Sequence, residues 1–496
     1  MGTSLRRHEK IILLLAGIGL ISLATYSCQK TPPPNTSNAN TTASASPAPA
    51  QPLPPWPSGF PQAMPSPVVS GNIPRQVVIS GNPATPQDAR PFFDNFSWES
   101  FIALNWPASN SRGVPNDPNN PNVFFNSPNG APVVWGTYKD SFDLFGQQDK
   151  RPSPWDSPTS PLSPCPGAPT NQKTLIFTTK GDTPLMQTKQ AFSFPLVDQH
   201  SNFVYYDIRY DEAQYNFIRG QDADQSTWLY LLKNLMPKEN QQFGVQMPMT
   251  TTSTLGSIMV KAAWRISSSS DDTKRYYAIT AQIYDAQKQS CSPATVLLVG
   301  LHIGHKVDPF TEWVWSTFEQ VDNVPPDPDA SPKPTPPPGG YSFNNGTGNP
   351  PTPNGFNYKP PLTAPGTPTP TPSPVQVTRV NPIPNTPQGQ STRDVNAYYQ
   401  GALKGTVWQY YQLVVTQWPA NPGMGQGKPF TLMNNGGVYP QNAGAAFPAN
   451  GAVNTTMETY FQTQNDAAGA GGNSCMSCHY RAGQSDFSWG LNRRAH

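Results

Sequence analysis

Alternation of apolar and polar positions is the main structural signal along this chain. A period of two predicts strands that bury one face at 257–266 and 277–283, and 314–321 is rich in β-branched and aromatic residues. The continuous apolar run 296–303 predicts a central strand covered on both faces. The aromatic segment 408–418 predicts either another strand or a buried helix.

Helical patterns are fewer and shorter than the strand patterns. They cover 98–105, 213–218, 225–235 and 454–464. The last of these begins with Asn454, which is a good helix-capping residue. The predicted fold class is therefore α+β, mainly β, with an antiparallel or mixed sheet core, a few short helices and long Pro-rich loops.

Two biased segments interrupt the strand patterns. Residues 28–75 are mostly Pro, Ala, Ser, Thr and Asn, which predicts a disordered tether because so little apolar surface can be buried. Residues 325–374 are rich in Pro, which fixes φ and lacks an amide donor, so polyproline-like loop is expected. This segment either divides two domains or is inserted into one. We favour a single β-rich domain at 76–496 with an insertion at 325–374.

The N-terminus predicts export. Basic residues precede the apolar run 11–24, which is shorter than the roughly 20 residues of a membrane-spanning helix, so 1–27 is predicted to be a signal peptide. Two outcomes are open for Cys28. It could become a lipidated N-terminal cysteine that attaches the mature chain to a membrane, or the signal peptide could be cleaved and the chain released without a lipid. The expected location is the periplasm or the cell envelope.

Composition and charge narrow the classes of partner. The 496 residues include 32 Lys and Arg against 30 Asp and Glu, giving a formal net charge of +2. This balance argues against a nucleic-acid partner, because such partners are held by neutralising many phosphates. Only 12% of residues are charged, while Pro alone contributes 61. Uncharged polar groups and long loops must therefore provide most of the hydrated surface.

The strongest chemical motif is Cys-x-x-Cys-His at Cys475, Cys478 and His479, within the C-terminal segment 465–496. Two thiols at this spacing add to the vinyl groups of a porphyrin, and the following histidine becomes the proximal iron ligand. One covalently bound haem c is therefore the predicted cofactor. A redox-active dithiol would need a following helix packed on a βαβ sheet, and the seventeen residues after His479 leave no room for one. A structural zinc site would need a fourth ligand and usually a second close pair, and the sequence offers no other close Cys or His pair of that form. A plain disulfide between Cys475 and Cys478 stays open.

The sixth iron ligand must come from elsewhere in the chain or be absent. His302 is the first candidate for a distal ligand, because alternation places it on the same face as Gly300 and Gly304, which would leave a flat space for a porphyrin. His305 is the second candidate and points to the other face. Either histidine could instead be a hydrogen-bonded residue near a strand end. Met457 is a weaker candidate.

The remaining cysteines, Cys165 and Cys291, predict a disulfide bond. Export takes the chain to an oxidising compartment, where disulfides persist. The alternative is that the two thiols lie too far apart to form a bridge.

Several segments together resemble an uncharacterised group of exported bacterial proteins labelled cytochrome c family. They are 97–107, 300–306, 313–323, 408–413 and 474–479. The resemblance covers most of 92–489, and it implies haem binding and electron transfer without naming a substrate.

Three functional hypotheses follow from the motif and the resemblance. The first is a single-haem electron carrier that exchanges electrons with a redox partner protein or with a small-molecule donor or acceptor. The second is a haem-dependent, peroxidase-like oxidoreductase with an open distal iron site. The third is a haem-bearing sensor or scaffold at the cell surface. The coordination state of the iron discriminates between transfer and catalysis.

Overall fold

The computed structural model describes residues 55–494 with internal gaps. The longest gaps are 159–164, 166–172, 178–186, 230–244, 327–334, 348–371, 420–429 and 463–473. The described residues belong to one compact unit, Ala48–His496. The predicted signal peptide 1–27, Cys28 and the first part of the predicted tether lie outside the described residues. No helix in the described part of the chain is both long enough and apolar enough to cross a bilayer.

A large, mostly antiparallel sheet forms the centre of the protein. Its strands are β1 (Lys139–Asp140), β2 (Lys173–Phe177), β3 (Val204–Tyr210), β4 (Ile258–Ile266), β5 (Ala278–Asp285), β6 (Ser290–Val307), β7 (Phe310–Gln320), β8 (Tyr411–Pro419) and β11 (Ala446–Phe447). The strand order is β1-β3-β4-β6-β7-β8-β11, and β5 pairs with the first half of β6. Among the strand pairs that the structure describes, β2 and β5 are the one parallel pair. A separate hairpin pairs β9 (Phe430–Leu432) with β10 (Val438–Pro440).

Within the described ranges, the α-helices are short apart from the first. They are α1 (Pro86–Leu104), α2 (Pro121–Phe125), α3 (Ser141–Phe145), α4 (Glu212–Arg219), α5 (Thr392–Ala402), α6 (Cys475–His479) and α7 (Trp489–Arg494). Single turns of 3-10 helix lie at Trp135–Thr137, Gln225–Thr227, Thr273–Arg275, Val407–Tyr410, Thr459–Phe461 and Gly483–Ser485. The structure therefore confirms the predicted mainly-β class of α+β fold.

Most predicted strands and two predicted helices are confirmed. The four alternating or apolar segments became β4, β5, β6 and β7, and 408–418 became β8 preceded by a 3-10 turn. The helix predicted at 98–105 is part of α1, which begins earlier because Thr85 forms a capping box with Asp88. The helix predicted at 213–218 is α4. Of 225–235, only the turn Gln225–Thr227 is helical among the described residues.

The helix predicted at 454–464 is wrong. The side-chain oxygen of Asn454 accepts the Thr456 N–H, as that of a capping residue does, but its amide nitrogen turns inward and donates to the Thr317 hydroxyl and the Phe318 carbonyl of β7. The backbone N–H of Thr455 donates to the carboxylate of Glu319. Residues 454–462 lie across the sheet as a strap in which the 3-10 turn Thr459–Phe461 is the one helical part, because contacts with buried polar groups of β7 fix the start of the segment.

Helix α1 covers one face of the sheet, which we call the α1 face. The hydroxyl of Ser97 lies 2.7 Å from those of Ser316 and Thr416, one on each of two strands. The ring of Phe101 stacks on Phe318 with centroids 4.3 Å apart. The 454–462 strap covers part of the opposite face, which we call the motif face. Both faces of β6 are thus covered, as its apolar run predicts.

The predicted tether ends earlier than residue 75. Phe60, Met64 and Val69 are buried, and the Trp56 ring packs 4.3 Å from that of Tyr398. These scattered apolar residues anchor the segment to the protein even though its composition is typical of disorder. The predicted boundary at 75 is therefore corrected to near residue 56.

Cys165 and Cys291 form a disulfide bond with Cα atoms 5.7 Å apart. This distance lies within the normal range for a bridge, so the alternative of two distant thiols is wrong. In the predicted Pro-rich insertion, the described residues 335–347 and 372–374 contain no helix or strand. Residues 348–371 of that insertion lie outside the described part.

Candidate haem-attachment site

The Cys-x-x-Cys-His motif forms the single helical turn α6 against the motif face of the sheet. The backbone N–H of Met476 donates to the side-chain oxygen of Gln417 at 2.7 Å. Because Thr416 points to the α1 face, its neighbour Gln417 points to the motif face. The thiol of Cys475 donates to the carbonyl oxygen of Ala452 at 3.3 Å. The sheet and the chain before the strap therefore both position the start of α6.

The two motif cysteines occupy one side of this turn. Positions three residues apart are neighbours on a helix surface, so the Cys475 and Cys478 side chains project the same way. Both described residues carry thiols and are not joined in a disulfide bond. Burial, followed by the nearby Glu458 carboxylate, raises the pKa of Cys475. A redox-active dithiol requires the opposite shift, so the environment disfavours that alternative.

The imidazole of His479 has a defined orientation. Its Nδ1 lies 2.6 Å from the carbonyl oxygen of Phe487. Since a carbonyl oxygen only accepts, Nδ1 carries the proton and donates it, which leaves the lone pair of Nε2 for a metal. Burial lowers the pKa of His479 to about 4, although the hydrogen bond to the Phe487 carbonyl acts in the opposite direction. The ring is therefore neutral, as a metal ligand must be.

Aromatic side chains and the segment after the motif enclose α6. The ring centroid of Trp315 on β7 lies 4.2 Å from that of His479, and the indole N–H of Trp489 donates to the Cys478 carbonyl at 3.3 Å. The segment 486–489 thus contacts the motif through Phe487 and Trp489.

The structure brings His302 to the motif. It lies on β6 directly opposite Lys261 of β4 and Thr317 of β7. Its Nε2 lies 3.4 Å from Oε2 of Glu458, a contact strong enough to act on that carboxyl group, and it makes no hydrogen bond of normal geometry to any described residue. Burial alone would raise the pKa of Glu458, but His302 and Lys261 together lower it. A buried imidazole nitrogen without a hydrogen bond is suited to bind a ligand or metal.

The space above Gly300 and Gly304 is filled, so the predicted flat opening is wrong. A Cβ at position 300 would lie 2.3 Å from the Thr456 hydroxyl and 3.2 Å from Cε of Met457. A Cβ at position 304 would lie 3.1 Å from the Trp315 ring. These glycines allow the strap and a tryptophan to approach β6 closely. Met457 is fully buried over β6, as expected of a core residue.

The structure does not bring His305 to the motif. It lies on the α1 face, where its Nε2 is 2.9 Å from the Thr250 hydroxyl and its ring centroid is 5.3 Å from that of Phe96. Burial lowers the pKa of His305 to about 3. The environment of His305 therefore corresponds to the alternative of a hydrogen-bonded core histidine.

This buried histidine predicts a loss of stability in acid. An unfolded histidine takes up a proton below about pH 6.5, whereas folded His305 stays neutral down to about pH 3, so stability falls as the pH drops between these values. We expect His305→Gln to reduce the slope of the free energy of unfolding against pH by up to about 1.4 kcal/mol per pH unit. Urea unfolding between about pH 4 and 7 measures it.

The matched control for this slope is His200→Gln, since His200 is exposed. Its slope should equal that of the wild-type chain. An unchanged slope in His305→Gln would show that the acid loss arises from other groups.

Lys261 and Glu458 were not among the site residues predicted from the sequence. Lys261 is the one charged side chain within the otherwise apolar stretch 258–264, which is a signal that could have found it. Glu458 becomes part of the cluster only through the path of the strap. Among the described residues, no three His, Cys, Asp or Glu side chains converge as ligands of a bare metal ion. Haem needs fewer protein ligands, because the porphyrin supplies the equatorial nitrogens.

The donor set therefore fits a c-type haem: two thiols on one side of a helical turn and an imidazole with an available Nε2. Comparison with known proteins adds no further identification. No family model matches the chain, and neither a curated protein nor a solved structure matches it.

Proposed function

We propose that this protein is a c-type cytochrome that binds one haem c covalently and transfers electrons. Cys475 and Cys478 would form the thioether bonds, and His479 would be the proximal iron ligand. The observation that carries the proposal is the hydrogen bond from Nδ1 of His479 to the Phe487 carbonyl, because it presents Nε2 as a ligand.

Bound haem supplies reversible one-electron chemistry at iron. The protein's own residues determine the environment in which that chemistry occurs. Trp315 packs on His479 and excludes water from that side of the imidazole. Gln417 and Ala452 hold the helical turn against the sheet. Attachment through two sulfurs prevents loss of the cofactor outside the cell, which suits an exported protein.

His302 is the proposed sixth ligand. Its Nε2 is buried and makes no hydrogen bond of normal geometry, and its side chain lies close enough to His479 for the two to interact electrostatically. Glu458, 3.4 Å away, would hold the ring in place until iron binds. His305 does not share these features, because its Nε2 is hydrogen-bonded to the Thr250 hydroxyl and it lies on the opposite face of the sheet. Two imidazoles would give a six-coordinate, low-spin iron, which is suited to electron transfer.

Replacing His302 by alanine tests this assignment. We expect His302→Ala to retain covalent haem but to convert the optical spectrum from low-spin to high-spin, because the iron loses its sixth ligand. His305→Gln, the matched histidine control on the opposite face, should keep the wild-type spectrum. The measurement is the optical spectrum of oxidised and reduced protein. A low-spin spectrum in His302→Ala would exclude His302 as the ligand.

A haem-dependent oxidoreductase is the second candidate function. The observation that favours it is the pairing of His302 with Glu458 beside the motif, since an imidazole and a carboxylate together can move a proton on the distal side of an iron. This function requires an open iron position. A wild-type iron that is high-spin and binds cyanide or peroxide would favour catalysis, and a low-spin iron that binds neither would favour transfer.

The proposed location is the periplasm or cell envelope, with a redox partner protein or a small electron donor or acceptor. Support comes from the predicted signal peptide 1–27 and from the Cys165–Cys291 disulfide, which persists in an oxidising compartment. Cys28 would either carry a lipid anchor or belong to a released chain.

Expression with a c-haem maturation system tests the whole proposal. The mature chain should carry the added mass of one haem and stain for haem after denaturing electrophoresis. Absence of both from a chain matured in that way would overturn the proposed function.

A further inference from the structure

We infer that the buried Lys306–Asp486 ion pair positions the proximal histidine, so that these two side chains adjust the ligand strength of His479 without touching it. This inference rests on the proposed haem function. It follows from a continuous set of contacts that leads from the central strand β6 to the imidazole of His479.

The ion pair ties the segment after the motif to the middle of the sheet. Lys306 is on β6 and Asp486 follows the motif, and both side chains are only 4% exposed. The ammonium of Lys306 contacts Oδ2 of Asp486, and the same oxygen accepts the backbone N–H of Met247 at 2.6 Å. A buried carboxylate that accepts hydrogen bonds from both an ammonium group and a backbone N–H has little freedom to move.

The backbone at Asp486 and Phe487 is held in an unfavourable conformation. Their φ angles are +50° and +62°, in the left-handed region that residues with a Cβ seldom adopt. Two such residues in succession persist only where surrounding contacts fix them. The ion pair at Asp486 is such a contact, and a second is the hydrogen bond from the Phe487 N–H to the Ala482 carbonyl at 2.9 Å.

The left-handed turn points the Phe487 carbonyl at His479. Its oxygen lies 2.6 Å from Nδ1, which is the hydrogen bond that selects the tautomer of the ring. An outer partner of this kind makes the imidazole a stronger donor to a metal. Loss of the ion pair would release the turn, weaken the hydrogen bond and leave His479 a weaker ligand.

Three variants separate positioning from a simple charge effect. A weaker imidazole ligand stabilises ferric iron less, so positioning predicts a higher reduction potential in both Asp486→Asn and Lys306→Met. Charge alone predicts opposite shifts, because loss of a negative group raises the potential and loss of a positive group lowers it. Lys306→Arg keeps the pair and should restore the wild-type potential.

A control for general destabilisation is Asp322→Asn. Asp322 is also a buried carboxylate, and the described residues that donate hydrogen bonds to it are Arg275 and Gln320, which lie outside the motif. We expect this variant to lose stability while keeping the wild-type reduction potential.

A readout without haem keeps this inference separate from the proposed function. In the Cys475→Ser/Cys478→Ser chain, ¹⁵N-histidine NMR should show His479 as the Nδ1–H tautomer, and adding Asp486→Asn should give a mixture of tautomers. Opposite shifts of the potential in the two charge variants, or an unchanged tautomer in the haem-free chain, would overturn the positioning role. If no haem attaches to the wild-type chain, the proposed function fails while the NMR result still decides this inference.

Discussion

Replacing Cys475 and Cys478 by serine is expected to abolish covalent haem attachment while the fold is retained. Thioether bonds require sulfur, and a hydroxyl does not replace it. Serine at 475 can still donate to the Ala452 carbonyl as the thiol does, so stability should change by no more than about 1–2 kcal/mol. Intact-mass measurement and haem staining after denaturing electrophoresis measure attachment, and urea unfolding measures stability.

The matched control is the other cysteine pair. Cys165→Ser/Cys291→Ser should keep the covalent haem yet lose stability by about 2–4 kcal/mol, because the disulfide closes a loop with a sequence separation of 126. One double variant should therefore lose haem and keep its stability, while the other should keep haem and lose stability. Haem mass in the Cys475→Ser/Cys478→Ser chain would show that the attachment site lies elsewhere.

The central strands could be predicted from the sequence because each depends on local alternation. Period two also separates His302 from His305 correctly, since residues an odd number apart point to opposite faces of a strand. The parallel pairing of β2 with β5 has no local cause, because it depends on the path of the intervening chain. The tether boundary was missed for a related reason. A few apolar residues such as Phe60 are buried only because a distant surface is present.

The candidate site also combines features that local sequence predicts with features that depend on tertiary contacts. The attachment motif is local in sequence and needs no knowledge of the fold. The partner of His479 is a backbone carbonyl, which has no sequence signature, and its position depends on two left-handed residues that are not glycine. Glu458 reaches His302 only because the strap is not the helix that its capping residues predict. Tertiary contacts with β7 override the local preference there.

The contact that holds this strap predicts the second large effect, which is on stability. Glu319 of β7 has a fully buried side chain, pairs with the guanidinium of Arg379, and also accepts the backbone N–H of Thr455. Glu319→Ala leaves the Arg379 charge buried without its partner, which costs about 3–5 kcal/mol. We expect urea unfolding to report that loss, and amide hydrogen exchange in 454–462 to accelerate as the strap loosens.

A double-mutant cycle distinguishes the buried charge from the missing side chain. If the unpaired guanidinium causes most of the loss, Glu319→Ala/Arg379→Met should be more stable than Glu319→Ala, because both charges are removed together. The Thr455 N–H stays without its acceptor in both variants, so faster exchange in the strap should persist even where global stability recovers. Equal stabilities of the single and double variants would contradict the electrostatic origin. Because the same strap carries Glu458 to His302, a loosened strap should also weaken the distal ligand in the haem-bound chain.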